Sequence, residues 1–179
     1  EPDRMAGLVR AAAGCHDAAL AFGAPFVSGK DSLNNEYRDA HGQRTPIPPT
    51  LLITALAHTP DVRRSVTMDL KEAGNYVYLV GETRDELGGA HIEYGRWRIE
   101  DSDVTLSSIL HPPSSVPKVD LATAPKIMRA LHTAIAAGLV RACHDLSEGG
   151  LGVAAAEMAF AGDLGLRLEL SAAPRPAGL

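Results

Sequence analysis

Two short stretches concentrate the side chains that could do chemistry. The first is "CHDLSEGGLG" at 143–152, which packs His144, Asp145, Ser147, Glu148, Gly149 and Gly150 into seven residues. Asp145 stands where an apolar run ends, the usual ligand side of an α/β layer. Ser147 or Glu148 then falls near a helix start, where free N–H groups and the helix dipole favour an anion. The glycine pair removes side chains that would keep a phosphate away. The same residues also suit a helix cap, with Asp145 or Ser147 capping and the glycines permitting tight packing. Spacing alone leaves both readings open.

The second stretch is "VSGKDSLNNE" at 27–36. Gly29 lets the backbone turn or approach a ligand closely. Lys30 offers a point charge suited to phosphate, and Ser32 can donate to a phosphate or substrate oxygen. Asp31, Asn34, Asn35 and Glu36 offer oxygens of the kind Mg²⁺ accepts. The spacing is not that of a P-loop. A polar hairpin with Asn and Asp in its turn is the alternative.

Other candidates are weaker. The seven histidines form no H-x-H or H-E-x-x-H pair, so their spacing does not suggest a zinc site. His16 and His132 read as helix residues, and His144 either orients Asp145 or is a packing histidine. Cys15 and Cys143 have no basic partner in sequence and form no C-x-x-C pair, so neither is a candidate nucleophile and a reduced, cytoplasmic chain is expected. "DELGG" at 85–89 reads as a glycine-bearing turn.

These motifs need elements to hold them. Residues 4–22 place Met5, Leu8, Val9, Ala12, Ala13, Ala19 and Leu20 at helical spacing, with Asp3 as N-cap and Gly23 as the stop. Strands are expected at 25–29, 50–59 and 75–83, a loop or hairpin at 30–49, and a short helical turn at "DVRRSV". Residues 87–116 are rich in glycine and proline and read as a crossing segment. After Leu121 comes a helix with Ile127, Leu131 and Ile135 on one face and Pro125 near its start. "LVRACH" then reads as a strand, "EGGLGVAAAEMAFAG" as a helix and "LGLRLEL" as a strand. The alternation is α/β to α+β, not a repeat array.

Composition excludes several classes. The 179 residues carry a formal net charge of −5 and no Lys/Arg block, and aromatics are 4%, which argues against a nucleic-acid surface. Apolar runs fall short of the ~20 residues of a membrane helix. The charged opening "EPDRMAG" is no signal peptide. Both ends look cut, so a piece of a larger protein is expected.

Taken together, "PFVSGKDSLNNE", "PPTLLITALAHTPDVRRSVTMDLK", "YLVGETRDELGG" and "VPKVDLATAPKIMRALHTAIAAGLVRACHDLSEGGLGVAAAEMAFAG" resemble the synthetase component of the phosphoribosylformylglycinamidine synthase family, in family order from about Pro2 to Leu170. Aminoimidazole ribonucleotide synthetase and selenophosphate synthetase share that fold and match these runs less well. The resemblance implies an aminoimidazole-ribonucleotide-synthetase-like two-domain fold with both domains partial. Residues 1–82 would belong to the N-terminal domain, 83–120 to the crossing segment and start of the C-terminal domain, and 121–179 to the C-terminal domain. It implies an ATP-dependent carbon–nitrogen ligase of purine biosynthesis. ATP phosphorylates the amide oxygen of formylglycinamide ribonucleotide, and ammonia from a glutaminase displaces the phosphate, with Mg²⁺ balancing charge.

By resemblance, Gly29 and Lys30 fall on nucleotide-binding positions and Ser32 on a substrate-binding one. Lys30 stands where the related run "SGNVSLYNE" has a magnesium-binding Asn. An ammonium cannot ligate a cation, so a phosphate contact is implied there instead. In the other stretch Asp145 falls on a metal ligand and Ser147 on a nucleotide contact. The family's catalytic histidine lies in the first half of the synthetase, and its motif has no match here. The resemblance therefore implies a chain inactive by itself, with the first half of the synthetase and a glutaminase as partners. Two alternatives are a non-catalytic module binding a structural ADP, and a kinase or selenophosphate-type synthetase of the same fold.

Overall fold

The computed structural model of the chain describes residues 2–32, 35–92 and 115–173. Asn34, one of the oxygen donors named above, and most of the 87–116 segment lie outside them. The chain divides into two compact units, Glu1–Thr59 with Leu121–Pro125, and Pro60–Asp120 with Lys126–Leu179.

Helix α1 spans Pro2–Phe22. Asp3 lies inside it rather than capping it. Gly23 ends the helix as expected, in the left-handed conformation at φ 66°. The Gly23 N–H reaches the Leu20 carbonyl (3.3 Å) and the Ala24 N–H reaches that of Ala19 (3.0 Å), the paired closure of a Schellman motif. The half-buried stripe of α1 is made of small residues, Gly7, Ala11, Cys15 and Ala18. Met5, Leu8, Val9 and Leu20, expected on the packed face, are exposed.

The 30–49 segment, expected as a loop or hairpin, holds a hairpin whose turn lies beyond "VSGKDSLNNE". Strands β1 (Glu36–Arg38) and β2 (Arg44–Pro46) pair antiparallel with Tyr37 opposite Thr45. The Asp39 carboxylate closes the loop by accepting from the His41 and Gln43 N–H groups (2.9 and 2.8 Å), an Asx turn. "DVRRSV" also folds as read, with a 3₁₀ turn over Val62–Arg64 capped by Asp61.

The five segments expected as strands, 25–29, 50–59, 75–83, "LVRACH" and "LGLRLEL", carry no strand. A strand exists through its ladder partner, and β1–β2 is the one ladder among the described residues. The apolar side chains at 25–29 and 50–59 stay uncovered, with Leu56 fully exposed and Val27 93% exposed, while Leu79, Val140, Leu164 and Leu166 in the other three are half-buried. "LGLRLEL" runs into a 3₁₀ turn over Leu170–Ala172.

Helices α2 (Ala124–Ala136) and α3 (Gly150–Ala161) match the sequence reading. In α2, Ile127, Leu131 and Ile135 are half-buried, and Gly138 ends the helix in a second Schellman closure at φ 73°. The buried side chains of α3 are Ala154 and Ala155. It too closes in Schellman fashion, but its left-handed residue is Asp163, at φ 51°. Gly162, one residue earlier, is needed elsewhere: a Cβ there would lie 2.7 Å from the Leu70 nitrogen.

Candidate functional site

The loop 144–149 joins the segment ending at Cys143 to the first turn of α3, and a third segment braces both sides of it. The Thr67 carbonyl accepts from the Cys143 N–H (3.2 Å), and the Leu70 N–H donates to the Met158 carbonyl in α3 (3.1 Å). Glu72 pairs with Arg141 at 2.7 Å. Residues 67–72 therefore pin the chain before the loop and the helix after it. Within this brace the side chains of Thr67, Asp69 and Lys71 meet across a bend at 68–69, with the Thr67 hydroxyl donating to Asp69 and Lys71 reaching both. Lys71 and then Thr67 hold the Asp69 carboxyl down to about 2.

The glycine pair is set by packing. Gly149 is buried, and a Cβ on it would lie 2.8 Å from Val153 Cβ and 3.5 Å from Ile92. Gly150 is left-handed at φ 65°, with Leu87 3.0 Å from where its Cβ would stand. Neither Asp145 nor Ser147 caps α3. The helix starts after Gly149 with no side-chain cap hydrogen bond, so the capping reading of those two residues does not hold.

Asp145 and Ser147 instead bind each other. The Ser147 hydroxyl donates to Asp145 Oδ2. His144 Nδ1 lies 3.3 Å from Asp145 Oδ1, and its Nε2 lies 2.7 Å from Glu157 Oε2 in the second turn of α3. The four side chains form one line: Glu157, His144, Asp145, Ser147. Its two middle members differ in solvent access, with the His144 side chain 17% exposed and that of Asp145 76%. Glu157, followed by Asp145, raises the His144 imidazole above its ordinary value, because both carboxylates favour the charged ring. Ser147, with a smaller contribution from His144, lowers the Asp145 carboxyl below its ordinary value. The outcome is an ionised, outward-facing carboxylate fixed on two sides.

Glu148, which the sequence left without a role, pairs with His91 Nδ1 at 2.6 Å, and its carbonyl accepts from the Ile92 N–H (3.1 Å). "DELGG" is a turn, with the Ala90 N–H on the Leu87 carbonyl (3.0 Å) and Gly89 at φ 84°. Sequence reasoning missed Glu157 and the 67–72 brace. The signal for Glu157 was available: it is the one charged residue in "GLGVAAAEMAFA", and a lone carboxylate on an apolar helix calls for a partner.

In the other unit, Gly29, Lys30 and Ser32 are all exposed, and Lys30 Nζ donates to Ser32 Oγ. A Cβ on Gly29 would meet nothing within 4 Å, so local packing does not require glycine there. The structure thus brings together Lys30 with Ser32, and Asp145 with Ser147, each pair within its own unit. An open cavity of about 410 Å³ in the second unit is lined by Arg63, Arg64, Ile135 and Gly138 among others, and by neither Asp145 nor Ser147. Arg63 is paired with Asp61, and Arg64 donates to the Ala136 carbonyl (3.4 Å). No described helix is long and apolar enough to cross a membrane.

Residues 72–178 match the family model described as AIR synthase related protein, C-terminal domain. The chain is similar to the phosphoribosylformylglycinamidine synthase subunit PurL of Rhodospirillum rubrum, with 39% identity over 175 residues, covering 97% of the chain and 22% of the relative. The subunit of that name from Limosilactobacillus reuteri is 34% identical over 171 residues, covering 96% of the chain and 21% of the relative. That of Thermococcus sibiricus is 34% identical over 166 residues, covering 93% and 21%. The chain therefore spans about a fifth of the length of the curated relatives it matches. No solved structure matches it.

Proposed function

The chain belongs to the family of AIR synthase related proteins, and from that premise we propose that it is a nucleotide- and magnesium-binding part of a phosphoribosylformylglycinamidine synthase. The parent enzyme would be a cytoplasmic, ATP-dependent ligase that converts formylglycinamide ribonucleotide and glutamine-derived ammonia to the amidine. This chain would supply parts of two domains, and the remainder of the synthetase and a glutaminase would complete the enzyme.

The observation that carries the proposal is the state of Asp145. Its carboxylate is exposed, held ionised, and spared from helix capping. Two of its lone-pair directions are used by Ser147 and His144, which leaves others for a cation. A hard oxygen donor of this kind fits Mg²⁺. Among the described residues, no three His, Cys, Asp or Glu side chains converge as a metal site. A cation here would share its coordination with phosphate and water, which is how Mg²⁺ commonly sits beside nucleotides. When bound, it would offset the charge on the transferred phosphoryl group.

Ser147 donates to Asp145 and lies three residues before α3, whose N-terminus carries no side-chain cap, and its hydroxyl would serve a nucleotide phosphate there. Lys30 brings a positive charge for phosphate, and the open space at Gly29 suits close approach of a ligand. Ser32, held by Lys30, would present its hydroxyl to the substrate. The test is calorimetric titration of Mg–ADP into the full-length protein that carries this chain, wild type and Asp145→Asn, with turnover followed in parallel. The expected result is a loss of Mg²⁺-dependent affinity in the variant. Undiminished affinity would refute the assignment of Asp145, and binding without any turnover would favour the structural-nucleotide alternative.

A further inference from the structure

We propose that His144 and Glu157 are positioning residues that hold the Asp145 carboxylate in the orientation a cation needs; this rests on the reading of Asp145 as the magnesium ligand. Asp145 sits in a glycine-flanked loop, and its side chain is largely in solvent. A carboxylate in that setting would sample several rotamers, each at a cost when a ligand selects one. Two contacts restrain it. The Ser147 hydroxyl comes from the same exposed loop and adds little rigidity by itself. The imidazole of His144 is different, because it is mostly covered and anchored through Nε2 to Glu157 on a regular helix, 2.7 Å away. That helix is in turn fixed to residues 67–72. The line Glu157–His144–Asp145 therefore transmits the position of α3 to a loop carboxylate. Partners one step removed from a ligand commonly act in this way.

A histidine that merely packs would make the same contact with Glu157, so the test must separate the two nitrogens. In His144→Gln the amide nitrogen reaches the place of Nε2 and can keep the Glu157 contact, while the place of Nδ1 is left empty. The measurements are Mg–ADP affinity by calorimetry and the thermal midpoint of the ligand-free, full-length protein. H144Q is expected to weaken Mg–ADP binding about tenfold with a midpoint close to wild type. In an Asp145→Asn background it should add no further loss, since the group it positions is gone. Unchanged affinity in H144Q, or an equal loss in both backgrounds, would overturn the inference while leaving Asp145 as the ligand. An Asp145→Asn variant that binds Mg–ADP normally would overturn both. If H144Q does not fold, Glu157→Ala and Glu157→Gln decide the question. Positioning expects weaker binding in the alanine variant and recovery in the glutamine variant, which keeps an acceptor. Equal affinities in both would overturn it.

Discussion

The contact between Gly162 and Leu70 sets the brace behind the loop, and a single methyl group should disturb it. A Cβ added at Gly162 would lie 2.7 Å from the Leu70 nitrogen and 3.0 Å from its carbonyl carbon. Comfortable separations start near 3.5 Å, and the Leu70 carbonyl oxygen lies closer still than its nitrogen, so the two backbones must part by about 1 Å. No rotamer change relieves this, because the crowded atoms are main chain. The Leu70 N–H to Met158 hydrogen bond, 3.1 Å long, would stretch beyond useful length. Losing it costs about 1 kcal/mol, and the crowding adds about 1–3 kcal/mol. The reduced freedom of the unfolded chain returns about 0.4–1 kcal/mol. Gly162→Ala should therefore destabilise this region by about 2 kcal/mol. The assay is hydrogen exchange at the Leu70 amide in the full-length protein, which reads local opening. A 2 kcal/mol loss corresponds to roughly 30-fold faster exchange. Gly152→Ala is the control in the same helix. A Cβ there meets nothing within 4 Å, so ordinary helix propensity should stabilise it by about 0.5–1 kcal/mol. Unchanged exchange in G162A, or a shift of the same sign in both variants, would refute the account.

Further outcomes are expected. Asp163→Gly should raise stability by about 1 kcal/mol in thermal unfolding, because glycine adopts the left-handed φ of 51° without strain; a lower midpoint would show that the aspartate side chain contributes a contact. Asp69 titrates near 2, against 3.8 for an unperturbed aspartate. A depressed carboxyl stabilises the fold above 3.8 and loses that contribution as pH falls towards 2, so an acid titration followed by circular dichroism should show a shallower loss over that window in Asp69→Asn than in wild type. Lys30→Ala should weaken nucleotide affinity about tenfold if the ammonium meets phosphate, and unchanged calorimetric affinity would remove Lys30 from the site.

The helices were readable because their signals are local. Ile127, Leu131 and Ile135 recur at helical spacing, and Gly23 and Gly138 sit one and two residues past the ends they close. Asp163 defeated the same rule: the glycine beside it was already committed to Leu70, a contact across more than ninety residues that no local pattern reveals. The apolar segments at 50–59 and 75–83 have strand composition, but composition does not provide a ladder partner. In the candidate site, Asp145 and Ser147 were legible as neighbours two residues apart. The His144–Glu157 contact was not, since it depends on how α3 lies against the loop. The glycine pair suited either clearance for a ligand or tight packing, and the closeness of Val153, Ile92 and Leu87 shows that packing already demands it.

The uncovered stretch "LLITAL" at 51–56 has a consequence for the chain during synthesis. Six residues rich in branched and apolar side chains, without charge, proline or glycine, fit the signature of a cross-β zipper. Pro48 and Pro49 precede it and Pro60 follows, so a growing stack of identical strands would be confined to a short window, as gatekeeper residues do. Until neighbouring structure covers it, this window is one place where nascent copies on one polysome would stick to each other, and where a holdase chaperone would find a grip.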